Sequence, residues 1–572
     1  MRGIGRELWR YRLWLLCGGL ALLVVDAAQL VSPLIIGRAV DDLARGVGDH
    51  LIRYALYLGG LALIATGFRF VWRLFLFGAG RRIERDLRNR LYSHLERLSP
   101  SYYAEHTTGD LMAHATNDLE AVRQACALGV LLAADTVMML AFTLAVMMAI
   151  SPRLTLYAFI PMPIITLVVL GFGRVIHRRF RRVQEAFATL TERTREALSG
   201  VRLLRAFARE PGMNAAYADV NQDNLEANLR LVRLWGVFRP LIQVLSGAGM
   251  VLLLWFGGRS VLDGTISLGS MVAFVSYLTM LVWPMMALGW IVNILQRGSA
   301  SMNRLDKIFA EEPDIVSPQR PTGLPRVKDL EFRRLSFAYP DDLATSALED
   351  VNVKVPEGST LGVIGLTGSG KSTLVKLIPR LYDPPPGSVL LGGTDVRHLK
   401  LSDLRSTVGV VPQDVFLFST SVRENIAYGQ PEASDEDVLW AARMAGLEEE
   451  IDVFPEGLDT VVGERGLSVS GGQRQRIGLA RSLLLNTPII VLDDVLSSVD
   501  AKVEEEILGN LRSVLQRRTA IVVAHRISAV RNADWIVVLD GGQVVEEGDH
   551  NHLVSQGGLY ARLNEYQQVL QE

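Results

Sequence analysis

The chain has 572 residues, too many for one compact core, so at least two domains are expected. Apolar residues make up 49% and the mean hydropathy is +0.23, which is high for a soluble chain. The net charge of -2 gives no indication of nucleic-acid binding, and both cysteines, Cys17 and Cys126, lie in apolar runs, which argues against a disulfide framework or a zinc site.

Six apolar segments before residue 300 are long enough to cross a membrane as helices. They run roughly over residues 13–36, 54–79, 126–150, 154–173, 237–258 and 271–295. The gaps after the second and fourth segments are long and rich in arginine. Because positive loops favour the cytosolic side, these gaps, the N-terminus and the C-terminal half are all predicted to be cytosolic.

The two long gaps carry leucine and valine at helical spacing, for example Leu198, Val201 and Leu204. We therefore expect the membrane helices to continue well past the bilayer toward a cytosolic domain. Their tips are predicted near residues 109–119 and 205–212.

The polar side chains that stand out within the predicted spans are Asp26, Gln29, Arg69, Arg73 and Asp135. One hypothesis is that Asp135 pairs with one of the two arginines, while Asp26 faces a polar cavity. The alternative is that the arginines extend to the membrane interface and that the aspartate is structural.

After residue 310 the pattern changes, because residues 311–328 contain four prolines and little periodicity. We predict a transmembrane domain over residues 1–310, a linker over 311–328 and a second domain over 329–572.

The second domain contains Gly-Leu-Thr-Gly-Ser-Gly-Lys-Ser-Thr at residues 365–373, which matches the phosphate-loop pattern in full. A β-rich run precedes the loop and a helical stretch follows it, so glycine amides and the helix N-terminus would surround phosphates. Lys371 is predicted to contact the outer phosphates and Ser372 to bind Mg²⁺. The expected nucleotide ligands here are Gly365, Thr367, Gly368, Ser369, Gly370, Lys371, Ser372 and Thr373.

A second strand, Ile-Ile-Val-Leu-Asp-Asp at residues 489–494, ends in acids, as expected of a buried parallel strand whose tip reaches a nucleotide. Its position after the phosphate loop makes Asp493 the predicted Mg²⁺ ligand. The fold class is therefore a membrane all-α domain of six transmembrane helices fused to a cytosolic α/β P-loop nucleotide-binding domain.

Residues 469–476, Val-Ser-Gly-Gly-Gln-Arg-Gln-Arg, resemble the signature of ATP-binding-cassette (ABC) proteins, usually Leu-Ser-Gly-Gly-Gln, with Val469 in place of leucine. The resemblance implies that this motif closes on ATP held by the opposite domain of a dimer. The residues it assigns to that contact are Ser470, Gly471, Gly472 and Gln473.

Other motifs follow in the order that is typical of ABC proteins. Tyr339 resembles the aromatic residue that stacks on adenine, and Gln413 resembles the glutamine that senses Mg²⁺ and faces the membrane domain. His525 resembles the histidine that contacts the terminal phosphate, and residues 463–466 resemble the segment that contacts the intracellular helices of exporters.

The resemblance extends to the membrane half, where residues 108–111, 117–118, 207–210 and 267–269 are similar to motifs of multidrug-type ABC exporters. It covers nearly the whole chain and is closest to bacterial multidrug-resistance-like half-transporters that work as heterodimers.

One residue departs from the family pattern. The family usually has glutamate after the magnesium aspartate, where it polarises the attacking water, and here that residue is Asp494. A carboxylate that is one methylene shorter retreats by roughly 1 Å, which can reduce a rate about 10²-fold. The resemblance therefore implies a partner chain with an intact glutamate, or alternatively a homodimer with a working Asp494.

The expected function is ATP- and Mg²⁺-dependent export of hydrophobic or amphipathic small molecules, lipids or peptides across the cytoplasmic membrane. A lipid flippase would look the same, and a signalling module that hydrolyses little ATP is a second alternative. Six spans in one chain exclude a soluble cassette ATPase that acts on nucleic acid. An importer is disfavoured, because importers of this superfamily mostly carry their spans on separate chains.

Overall fold

A computed structural model describes residues 2–340, 342, 344–463, 469–497 and 499–569. The chain forms two compact units. The first comprises Met1–Glu96 and Thr108–Glu311, and the second comprises Arg97–Thr107 and Glu312–Glu572.

The described residues of the first unit form helices joined by short turns, and six of these helices are long and apolar enough to cross a membrane. We name them the first to sixth span helices in chain order: Arg12–Ala44, Leu51–Leu95, Thr108–Ile150, Pro152–Ser199, Glu210–Leu262 and Leu268–Ala310. Two short helices accompany them, Arg2–Arg10 and Val201–Ala206. The six spans predicted from hydropathy are confirmed.

The span helices are much longer than a bilayer requires. The second has 45 residues, or about 68 Å at 1.5 Å per residue, whereas the hydrocarbon core is about 30 Å thick. The arginine-rich gaps are therefore helical continuations of the spans, as predicted. Two of the long helices contain π-helical turns, at His114–Asp118, Ala125–Gly129 and Leu253–Gly257.

The pairing of Asp135 with an arginine is wrong. Among the described residues no ion pair joins Asp135 to Arg69 or Arg73, and Arg73 lies against the ring of Trp72, 5.6 Å from its centre. The first and third span helices are in contact, and this packing places the carboxyl groups of Asp135 and Asp26 next to each other.

Asp26 is enclosed between helices rather than facing an open polar cavity. Its side chain belongs to a residue that is 2% exposed, and its Oδ2 atom is buried with no hydrogen-bond partner. The rotation of each helix about its own axis decides such contacts, and the position of an apolar run in the sequence does not determine that rotation.

Within the described residues, the second unit contains two sheets. Their strands are β1 (Leu330–Ala338), β2 (Ser346–Val355), β3 (Thr360–Gly365), β4 (Val389–Leu391), β5 (Thr394–Asp395), β6 (Val408–Val411), β7 (Ile489–Asp493), β8 (Thr519–Ala524), β9 (Trp535–Asp540) and β10 (Gln543–Gly548). One sheet is antiparallel with the order β2-β1-β4-β5, and the other has the order β10-β9-β3-β8-β7-β6.

The α-helices among the described residues of this unit are Pro100–Glu105, Lys371–Leu377, Leu401–Thr407, Val422–Ile426, Asp435–Met444, Glu448–Val453, Gly471–Leu484, Ala501–Leu515, Ile527–Val530, His550–Gln556 and Leu559–Val569.

Within the larger sheet, β9, β3, β8, β7 and β6 are parallel, and β10 is antiparallel to β9. Every residue of β7 and β8 is buried, as expected of central parallel strands that are covered on both faces. The carboxyl ends of these strands meet at one edge, where α/β proteins bind ligands.

Candidate nucleotide-binding site

The phosphate loop connects β3 to the helix Lys371–Leu377 and requires glycine at two positions. Gly368 and Gly370 have φ angles of +83° and +97°, a region that side-chain-bearing residues rarely adopt. A Cβ atom on Gly370 would also lie 2.5 Å from the carbonyl oxygen of Ala347. The loop is therefore held tightly against β2.

Lys371 folds back over this loop. Its Nζ donates hydrogen bonds to the carbonyl oxygens of Gly365 at 2.9 Å and Leu366 at 2.8 Å. Burial lowers the pKa of the Lys371 ammonium, and the carboxylates of Asp494 and Asp493 act in the opposite direction. An anionic phosphate at the loop would stabilise the charged form of this lysine.

Asp493 and Ser372 form a pair of oxygen donors beside the loop. Asp493 ends β7, and Ser372 donates a hydrogen bond to its Oδ1 at 3.3 Å. Burial raises the pKa of the Asp493 carboxyl, and the Ser372 hydroxyl partly offsets that rise. A carboxylate and a hydroxyl next to a phosphate loop are hard oxygen ligands that fit Mg²⁺.

Asp494 follows directly and has a fixed backbone. Its φ angle is +51°, and its amide donates a hydrogen bond to the carbonyl oxygen of Val523 on β8 at 2.8 Å. The residue is 8% exposed. The reach of its carboxylate therefore depends on the side chain alone.

Gln413 and His525 come to the same edge of the sheet through strand pairing. Val411 at the end of β6 pairs with Leu492 of β7, so Gln413, two residues further on, lies at the carboxyl edge with an exposed side chain. His525 is half-buried and follows the last residue of β8. The larger sheet thus gathers the predicted phosphate, magnesium and water-activating residues.

Tyr339 lies beside the phosphate-loop helix. Its hydroxyl is 3.1 Å from the Oγ1 of Thr373, and its ring meets the edge of Tyr382 at 5.0 Å between centroids. Sequence reasoning missed Tyr382, because no motif marks it and only the fold brings it against Tyr339.

The signature motif begins a helix of its own, Gly471–Leu484. Ser470 caps this helix, because its Oγ accepts from the Gln473 amide at 3.2 Å and the Gln473 Oε1 accepts from the Ser470 amide at 2.9 Å. The first helical amides have no partner within the helix, so they form an anion-binding end. Among the described residues no hydrogen bond joins this motif to the phosphate loop of the same chain.

The helix Gly471–Leu484 is nevertheless connected by hydrogen bonds to the turn that follows Asp494. Gln475 donates from Nε2 to the Ser497 Oγ at 2.9 Å, and Ser497 donates to the carbonyl oxygen of Asp494 at 3.0 Å.

Three residues of the segment expected to contact the intracellular helices, Glu464, Arg465 and Gly466, lie outside the described residues.

Comparison with known proteins assigns both halves of the chain. Residues 15–285 match the model of the ABC transporter transmembrane region, and residues 348–497 match that of the ABC transporter. The chain is 26% identical to a solved bacterial Atm1-family ABC exporter with ATP bound, with a TM-score of 0.78 and coverage of 97% of this chain and 98% of that one.

Three curated relatives span nearly the same length. The probable multidrug resistance ABC transporter ATP-binding/permease protein YheI of Bacillus subtilis is 38% identical, over 96% of this chain and 94% of the relative. The multidrug resistance-like ATP-binding protein MdlA of Escherichia coli is 39% identical over 99% and 95%, and the ATP-dependent lipid A-core flippase of Syntrophus aciditrophicus is 35% identical over 95% and 90%. With six membrane-crossing helices and an ATP-binding domain in one chain, this protein belongs to the ABC transporter family and is a half-transporter of the exporter type, in which ATP hydrolysis is coupled to transport.

Proposed function

We propose that this chain is the degenerate-site subunit of a heterodimeric exporter that moves hydrophobic or amphipathic compounds out across the cytoplasmic membrane. Its ATP-binding domain would lie in the cytosol, and the partner would carry glutamate after its magnesium aspartate. The multidrug-resistance names of the relatives YheI and MdlA support the substrate class.

At this chain's own site, the loop amides and Lys371 would bind the phosphates, and Tyr339 would stack on the adenine. Ser372, Asp493 and Gln413 would hold Mg²⁺, which neutralises phosphate charge when bound. His525 would contact the terminal phosphate, and Asp494 would orient the attacking water.

The observation that carries the proposal is the fixed backbone of Asp494. The bond from its amide to Val523 and its φ angle of +51° keep the Cα atom in place. With the backbone bonded there, a side chain one methylene shorter than glutamate would end roughly 1 Å further from the attacking water, a misplacement worth about 10²-fold in rate. The signature motif retains its cap and its free helix end, so it remains fit to complete the partner's site.

The test is ATP hydrolysis by this chain purified alone and with its candidate partner, in lipid, with Asp494→Glu alongside. We expect a nearly inactive lone chain, an active pair, and loss of activity when the partner's glutamate is replaced. Brisk hydrolysis by the lone chain that Asp494→Glu hardly changes would instead establish a homodimer with a working aspartate.

A lipid flippase is the second candidate, favoured by the 35% identity to the lipid A-core flippase. Reconstituted vesicles separate the two functions. ATP-dependent movement of a fluorescent lipid between leaflets, without movement of hydrophobic dyes, would replace the drug-export proposal.

A further inference from the structure

The helix Leu559–Val569 at the end of the chain is firmly anchored to the second unit. The carboxylate of Glu546 accepts hydrogen bonds from the amides of Leu559 and Tyr560 at the helix N-terminus. Tyr560 is fully buried, and its hydroxyl lies 2.7 Å from the Nδ1 of His550. We call this element the C-terminal helix.

Gln567 lies seven residues after Tyr560, about two helical turns, and so on the same face of the C-terminal helix. Its Nε2 donates a hydrogen bond to the carbonyl oxygen of His525 at 2.7 Å. Its Oε1 accepts one from the amide of Ile527 at 2.8 Å. One side-chain amide therefore holds the backbone on both sides of Arg526.

The contact between Gln567 and His525 lies directly after the last residue of β8 that pairs with β3. The pairing of β8 with β3 ends at Ala524, which lies opposite Ile364. His525 is the next residue, and its carbonyl oxygen is held by Gln567 rather than by a neighbouring strand. The backbone of His525 would otherwise continue from the sheet into a loop without this restraint.

A second set of contacts holds only side chains of the same loop. Glu504, 4% exposed, accepts a hydrogen bond from the Ser528 hydroxyl at 2.6 Å and another from the Arg526 guanidinium. These bonds restrain the side chains of Arg526 and Ser528 but do not involve the His525 peptide. The side-chain bond to that peptide comes from Gln567.

We propose that Gln567 is a positioning residue that sets the His525 imidazole for its contact with the terminal phosphate of ATP. The inference rests on the proposed function, because it takes the phosphate role of His525 as given. Rotation of the His525 peptide would displace the imidazole, and small displacements of a contacting group cost far more in turnover than in ATP binding.

The test compares Gln567→Ala with Gln568→Ala, the neighbouring exposed glutamine. Both are made in the full chain in lipid, with Asp494 and again with Asp494→Glu to raise turnover at this site. We expect Gln567→Ala to lower kcat for ATP about tenfold with little change in KM, and Gln568→Ala to stay within about twofold.

A double-mutant cycle with His525→Ala supplies the readout that a merely structural role would not give. If Gln567 acts through His525, Gln567→Ala causes no further loss once the imidazole is absent. Equal activity of Gln567→Ala and Gln568→Ala, or additive losses with His525→Ala, would overturn the inference. Unchanged activity in His525→Ala would overturn the phosphate role of His525 as well, so the two failures are distinguishable.

Discussion

Asp494 has a backbone in the left-handed region and a side chain that is shorter than glutamate. Asp and Asn tolerate positive φ better than longer side chains do, so Asp494→Asn should keep the turn and its bond to Val523. The amide cannot accept the proton of an attacking water. We therefore expect Asp494→Asn to lower the residual rate of ATP hydrolysis by the lone chain about tenfold or more. The melting temperature should not change.

Measurement of the hydrolysis rate and of thermal unfolding on the same preparation checks this prediction. Asp494→Glu is the matched variant, because it keeps the charge and restores the reach. Residual activity in Asp494→Asn equal to that of the unmodified chain would mean that the carboxylate plays no part in turnover.

Asp135 lies beside another carboxyl group rather than a guanidinium, which predicts an unusual response to substitution. Asp135→Asn supplies an amide donor to Asp26, whose Oδ2 otherwise has no partner. We expect the free energy of unfolding in lipid to stay the same or to rise by up to about 1 kcal/mol. This change is read as an equal or higher melting temperature.

An ion pair between Asp135 and an arginine predicts the opposite result, because its loss would leave a charge without compensation in the membrane. Asp26→Asn is the reciprocal variant and should behave alike. A clear fall in melting temperature for Asp135→Asn alone would contradict the acid–acid contact.

The residues of the nucleotide site could be predicted from sequence because each lies in a short motif whose spacing fixes its local geometry. Gly370 and Lys371 are examples, since one turn of chain determines both the φ angle and the start of the helix. Tyr382 and Gln567 could not be predicted. Their roles depend on contacts between segments that are distant in sequence, and neither has a motif.

At the scale of elements, the first and sixth span helices cross at two glycines. A Cβ atom on Gly269 would lie 1.8 Å from the carbonyl oxygen of Gly37, and the Gly269 amide donates to the Asp41 carboxylate at 2.7 Å. Ser267 caps the same helix end by accepting from the Ser270 amide at 3.0 Å. The motif at residues 267–269 is thus a close helix crossing with a double cap.

Gly269→Ala should force these two helices apart. The backbone oxygen of Gly37 cannot rotate away as a side chain can, so we expect a loss of about 1–3 kcal/mol, read as a lower melting temperature in lipid. Gly258→Ala is the control, because its added Cβ meets nothing within 4 Å. Equal melting temperatures for the two variants would contradict the close crossing.

Hydropathy predicted the existence of the span helices, since apolar runs of this length have few other uses in a protein. The periodicity of leucine predicted their continuation into the arginine-rich gaps. The π-helical turns at His114–Asp118 and Ala125–Gly129 could not be predicted, because one extra residue in a helical turn leaves no compositional trace.

At the scale of the molecule, the chain is not divided at a single boundary. Residues Arg97–Thr107 group with the second unit, where Ser101 donates to the Asp314 carboxylate at 2.7 Å and Ser99 accepts from the Ile315 amide at 3.1 Å. A sequence boundary at residue 310 could not anticipate this, because composition and periodicity describe contiguous segments and not their contacts.

The division of labour between two ATP sites gives the sharpest prediction for the assembled pair. In the proposed heterodimer each site would combine the phosphate loop of one chain with the signature of the other. Ser470 would then serve the partner's fast site, and Asp494 would serve this chain's slow one. In the pair, Ser470→Ala should reduce ATP hydrolysis about tenfold or more, whereas Asp494→Asn should change it little.

Loss of a helix cap also destabilises a protein by about 1 kcal/mol, so the effect of Ser470→Ala needs a matched control. Ser434 provides it, because it caps the helix Asp435–Met444 with the same reciprocal pair of hydrogen bonds. Ser434→Ala should cost similar stability and leave hydrolysis by the pair intact. If Ser470→Ala and Asp494→Asn reduce hydrolysis equally, the two sites are equivalent, and this chain is not the degenerate half of an asymmetric exporter.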